Sequence, residues 1–70
     1  MESKNYFKEN LKMLRKEEGL SQDKLALLLE TSRSTISFWE NGEREPTMSS
    51  LIKLSKFFKV SIDYLVGLEK

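Results

Sequence analysis

From Phe7 onward the apolar residues of this chain recur with the period of a helix, with no stretch of β-alternation between them. Phe7, Leu11 and Leu14 stand at i, i+4 and i+7 among lysines and glutamates, the spacing of an amphipathic helix, here ending near Gly19. Ser21 precedes "QDKLALLL", where its hydroxyl can cap a second helix that turns Leu25 and Leu29 inward and offers small Ala26 for a close crossing. After a short "ETS" break, Ser32 or a neighbour can cap a third helix running to about Asn41, with Gly42 as a left-handed stop. "GEREPT" reads as a loop, because Pro46 biases Glu45 away from helix. Thr47 can cap a fourth helix, "MSSLIKLSKFF", with its period in Leu51, Leu54 and Phe58, and Ser61 a fifth, "IDYLV", closed by Gly67. The pattern predicts an all-α fold, a compact bundle of five short helices in a single domain spanning 1–70.

What such a bundle can do is narrowed by what it lacks. With 70 residues and no cysteine, neither disulfides nor thiolate zinc can staple the fold, so packing must hold it. Histidine is absent as well, which removes the commonest general base and metal ligand. Without a glycine-rich phosphate loop or a metal-ligand cluster, a catalytic role has no residues to stand on, and neither an enzyme nor a cofactor is expected. The longest apolar run, Leu25 to Leu29, is five residues, against the roughly 20 that cross a bilayer. The opening "MESKNYFKEN" has charges where a signal peptide needs an apolar stretch, so a cytoplasmic location with no membrane partner is expected. The 12 Lys+Arg against 11 Asp+Glu leave a formal charge of +1, too little for global charge to indicate an anionic partner. Any such partner must be read from where charges stand.

The third helix is the informative place. At about 100° per residue, Ile36 and Trp39 fall on one side, flanked by Thr35 and Glu40, while Arg33, Ser34, Ser37, Phe38 and Asn41 fall on the other. The neighbouring aromatics therefore point apart, Trp39 to the core and Phe38 outward. The outward face is narrow and polar, with one arginine and one apolar ring, and it suits the mixed polar and methyl surface of the DNA major groove.

These residues also carry a resemblance. Through "LKMLRKEEGLSQDKLA", "SRSTISFWENGEREP" and "LIKLSKFFKVSIDYLVG", the chain from Leu11 to Gly67 resembles the phage-repressor and Cro class of helix-turn-helix regulators, with a lambda-repressor-like DNA-binding domain. The resemblance implies a helix-turn-helix motif at about 22–41 and a recognition helix at about 33–41. It implies base contacts from Arg33, Ser34, Ser37 and Phe38, and phosphate contacts from Gln22, Asn41 and Arg44. It also implies a structural salt bridge between Arg15 and Glu40 that locks the recognition helix to the first helix. Physics accords with this division: arginine can donate twice to guanine, a phenyl ring can pack on a thymine methyl, and Gln22 lies at a helix N-terminus where free amides favour phosphate.

Two positions depart from the family pattern. Glu30 stands where the turn usually has glycine, and Lys59 where glycine usually ends the fourth helix; a non-glycine residue held left-handed costs about 1 kcal/mol. The implied function is sequence-specific binding of double-stranded DNA as a transcriptional regulator, a repressor acting on near-palindromic operators as a homodimer. Tyr64, Leu65, Val66 and Leu68 offer either a dimer surface or a further part of the core. The alternative is a protein-interaction module, antitoxin-like or anti-regulator, motivated by the near-neutral charge and by Leu27 and Leu28, which are more apolar than a solvent-facing surface requires.

Overall fold

The computed structural model describes residues 6–68, so the first five and last two positions of the expected 1–70 domain lie outside the described residues. Five helices follow one another: α1 (Tyr6–Glu17), α2 (Gln22–Leu29), α3 (Arg33–Asn41), α4 (Met48–Phe58) and α5 (Ile62–Val66). The described residues form an all-α bundle without strands.

Local chemistry sets the beginning of four of these helices. Ser21, Ser32, Thr47 and Ser61 have extended backbone, and each side-chain oxygen accepts from an amide three residues on, at Lys24, Thr35, Ser50 and Tyr64. Each cap satisfies an amide that the first helical turn leaves without a partner, worth about 1 kcal/mol. The ends are set by left-handed residues. Gly42 (φ 76°) closes α3 with its N–H directed to Phe38 and Trp39 carbonyls, a conformation glycine adopts without steric cost. Gly67 (φ 86°) closes α5 and lies so close to Tyr6 that a Cβ would collide with that ring's own Cβ. There the end of α5 seats directly on the start of α1.

Glu30 (φ 60°) and Lys59 (φ 59°) adopt the same left-handed conformation without being glycine. Thr31 N–H donates to the Ala26 carbonyl at 2.9 Å, so the strained residue completes a hydrogen-bonded stop for α2 and begins the turn into α3. Glu30→Gly should therefore raise stability by about 1 kcal/mol, read as a higher urea midpoint. A lowered midpoint would mean that the Glu30 side chain stabilises this turn by more than its backbone costs.

One core joins all five helices. Leu11, Leu25, Ile36, Leu54 and Leu65, one from each, are fully buried, and Phe7, Leu14, Ala26, Leu29, Trp39 and Leu51 complete the cluster. Phe58, expected inward on α4, is half-buried and meets the Phe57 ring edge-on. The C-terminal apolar residues, readable as dimer surface or as core, divide between the two. Leu65 is the inward residue of α5 and closes the core against α1 and α4; Tyr64 and Val66 are half-buried, and Leu68 alone of the four is exposed. Leu27 and Leu28 both face solvent, the first 68% exposed. No helix among the described residues is long and apolar enough to cross a membrane.

Candidate nucleic-acid interface

The site is built on the pairing of α2 with α3. Leu25, Ala26 and Leu29 of α2 face Ile36 and Trp39 of α3 across the core, with Ala26 providing the room for a close crossing. This burial fixes which side of α3 remains outside. Arg33 and Ser34 are exposed, Ser37 and Phe38 are half-buried, and together with Gln22 they line one shallow depression. Four expected base-reading residues and one expected phosphate ligand thus share a surface, rigidly held because α3 is packed on its opposite side.

What pins that surface is an ion pair beneath it. Glu40 is buried, with its side chain 1% exposed, and Arg15 meets it with two hydrogen bonds, Nε to Oε2 at 2.6 Å and Nη2 to Oε1 at 3.0 Å. Arg15 Nη1 donates to the Leu20 carbonyl at 2.8 Å, and Gln22 Nε2 donates to Glu40 Oε1 at 3.1 Å. The guanidinium therefore ties α1, the turn before α2 and the end of α3 into one unit. A fork-to-fork pair of this kind adds direction as well as energy. Hydrogen bonding to Glu40 raises the Arg15 pKa above its ordinary value, against the lowering effect of burial, so Arg15 is cationic at every working pH.

The turn between two tightly crossed helices, with an exposed polar face on the second, is an arrangement shared by known proteins. A family model described as helix-turn-helix matches residues 11–65. The chain belongs to the helix-turn-helix family. It is 47% identical over 64 residues to the HTH-type transcriptional activator BcrR of Enterococcus faecalis, covering 91% of this chain and 31% of that relative. It is 42% identical to the HTH-type transcriptional regulator YqaE of Bacillus subtilis, covering 86% of this chain and 52% of the relative. The chain thus spans about a third to a half of these relatives. Among solved structures it superposes on the P22 c2 repressor in complex with a synthetic operator, with a TM-score of 0.85, 32% identity, and coverage of 94% of this chain and 100% of that one. A transcriptional regulator from Listeria innocua gives a TM-score of 0.83 and 41% identity over 91% of this chain and 60% of its own.

Within this helix-turn-helix unit the remaining expected contacts fall in two places. Asn41, at the end of α3, is exposed, with Nδ2 3.4 Å from Ser37 Oγ, and lies beside α1 in a separate groove with Lys8, Lys12 and Lys16. Arg44, in the loop after Gly42, lays its guanidinium 4.6 Å from the centre of the Phe38 ring. That cation–π contact brings a loop cation onto the same face as the α3 side chains. Arg33 is close to Asp23, but at 3.8 Å with both side chains mostly exposed the attraction is weak and leaves the guanidinium able to turn outward. Sequence reasoning missed the Gln22–Glu40 bond and the Arg44–Phe38 stacking. Each joins residues in separate elements, and no local spacing signals either one.

Proposed function

We propose that the chain binds double-stranded DNA in a sequence-specific manner as the DNA-binding part of a transcriptional regulator, with α3 in the major groove. The observation that carries this reading is the outward face of α3. It presents a guanidinium, two hydroxyls and a phenyl ring over a buried Ile36–Trp39 side, on a fold that superposes along 94% of its length on a repressor solved with operator DNA. Arg33 reads guanine through two donors, Phe38 packs on a thymine methyl, and Ser34 and Ser37 bond base edges. Gln22, Asn41 and Arg44 hold the backbone, which fixes register without reading sequence. Gln22 has two amide protons: one is engaged by Glu40, and the other is available for a phosphate oxygen.

Arg33 and Gln22 variants test this division of labour. Arg33→Ala should cost about 1–3 kcal/mol on a selected duplex and relax preference at one base pair per half-site, with a smaller loss on random DNA. Gln22→Ala should weaken all sequences alike and leave the salt slope unchanged, since its side chain is neutral. Titration against selected and scrambled duplexes at two salt concentrations measures both. Equal losses for Arg33→Ala on the two duplexes would remove it as a base reader.

The same reading includes repression by blocking promoter access, supported by the repressor superposition. A second reading, activation, is supported by the relative named as an activator. Transcription from a promoter carrying the selected site distinguishes them by the sign of the change. One short helix reads few base pairs, so two copies on a near-palindromic operator, with half-sites about one helical turn apart, supply the discrimination that one cannot. Sedimentation with such a duplex should give two chains per site; a strict one-to-one complex would refute the dimer.

A further inference from the structure

The contact between Arg44 and Phe38 joins a loop cation to a residue of the outward face of α3, and the backbone shows why it forms. Gly42 turns the chain out of the helix in left-handed conformation, and Glu43 N–H returns to the Phe38 carbonyl at 2.9 Å. That bond folds the loop back along the last turn of α3. The next residue, Arg44, therefore comes to lie against the Phe38 ring, its guanidinium 4.6 Å from the ring centre. Among the described residues Arg44 forms no ion pair, although Glu43 and Glu45 flank it in sequence. The ring is the group that fixes the place of this cation.

Two consequences follow from general chemistry. A phenylalanine on a helix has two open χ1 wells, and Phe38 is only half-buried, so the packing of α3 leaves its ring partly free to choose. A guanidinium against one face favours one well and leaves the rest of the ring toward the shallow depression that Phe38 lines with Ser34 and Ser37. A guanidinium that lies over a ring also keeps its N–H donors in its own plane, where they can still meet a phosphate. We propose that Arg44 is a positioning residue for base recognition. Resting on Phe38, it holds the ring where it meets the 5-methyl group of a thymine, so losing Arg44 blurs the sequence read as well as loosening the backbone grip. This rests on the DNA-binding reading above, in which Phe38 meets a thymine and Arg44 a phosphate, and it makes the two contacts interdependent.

The test replaces the thymines of a duplex recovered from a random pool, one at a time, by deoxyuridine, which removes only the methyl group. At one thymine per half-site the change should cost wild-type protein about fourfold in affinity, the worth of one buried methyl, and should cost Phe38→Ala nothing. At that position Arg44→Ala should bind thymine and uracil within about twofold of each other, besides binding selected and scrambled duplexes more weakly. Arg44→Lys keeps the charge without the plane, so it should hold scrambled DNA more nearly as wild type does and still discriminate less than about twofold. Both variants should melt near wild type, since Arg44 is exposed. In the free protein, shielding by the ring should move the Arg44 side-chain proton resonances upfield, and Phe38→Ala should return them to ordinary values. Discrimination that stays at the wild-type level in either Arg44 variant, or Arg44 resonances that Phe38→Ala leaves in place, would overturn the proposal and leave Arg44 a phosphate ligand only. Wild-type protein indifferent to every thymine methyl would overturn it together with the base contact of Phe38, while leaving DNA binding intact. Wild-type protein that binds no duplex would overturn both the proposal and the DNA-binding reading.

Discussion

Trp39→Ala lowers the unfolding free energy by about 3–5 kcal/mol, whereas its neighbour Phe38→Ala lowers it by about 1 kcal/mol or less. The two rings differ in surroundings. Trp39 is 7% exposed and meets Phe7 edge-on, with ring centres 6.2 Å apart, so truncation opens a cavity where α1 and α3 pack. Phe38 is half-buried, and its exposed face is partly covered by Arg44, a contact that solvent can replace. Small domains sit near the low end of a 5–15 kcal/mol range, so the tryptophan loss is enough to unfold a sizeable fraction of the molecules. Urea denaturation followed by far-UV circular dichroism checks the contrast. Equal losses for the two variants would contradict the assignment of α3's faces.

The second large effect comes from the ion pair. Arg15→Ala leaves the Glu40 carboxylate buried with Gln22 as its remaining side-chain donor, and breaking a buried pair on one side costs about 3–5 kcal/mol. Replacing both partners, as in Arg15→Met/Glu40→Leu, should restore most of that stability, because no charge is then buried alone. The double variant should nevertheless hold α3 less rigidly, since the bonds from α1 to the end of α3 and to the Leu20 carbonyl are gone. Thermal melts of the single and double variants distinguish these outcomes, and a double variant as unstable as Arg15→Ala would contradict the account. The pH dependence has a definite sign. A folded-state pKa raised above the unfolded value gives stability that is complete below the unfolded pKa and lost only as pH rises through the folded one. For an arginine both lie above the working range, so titration of Arg15 does not erode the pair there.

Much of the fold was legible because its signals are local. The four hydroxyl caps act on amides three residues away, and the apolar period of each helix is complete within a few turns, so α1 to α5 can be read from the chain directly. Where a helix is too short to define a stripe, period fails. In five-residue α5 the run Tyr64–Leu65–Val66 does not reveal which residue points inward, and Leu65 proved to be core rather than surface. The outward direction of Phe38 followed from the angle it makes with Trp39. The resting place of Arg44 on its ring did not, because the loop path after Gly42 decides it. Likewise Gln22 reads as an ordinary early helix residue until folding brings it beneath α3 to Glu40, 18 positions away. Glu30 and Lys59 show the same limit in the backbone: composition gives no reason to expect a glutamate and a lysine in left-handed turns, and only resemblance pointed to those positions.

The central claim is that the outward face of α3 reads base pairs, and the most direct measurement is selection of bound duplexes from a random pool with wild-type protein and with Arg33→Ala/Phe38→Ala side by side. Wild-type protein should enrich one motif, repeated in two half-sites about one helical turn apart. The double variant should melt near wild type, retain weak salt-sensitive binding and enrich no motif, or one degraded at the positions those side chains reach. A wild-type protein that enriches no sequence, or a double variant that enriches the same motif as strongly, would contradict the claim.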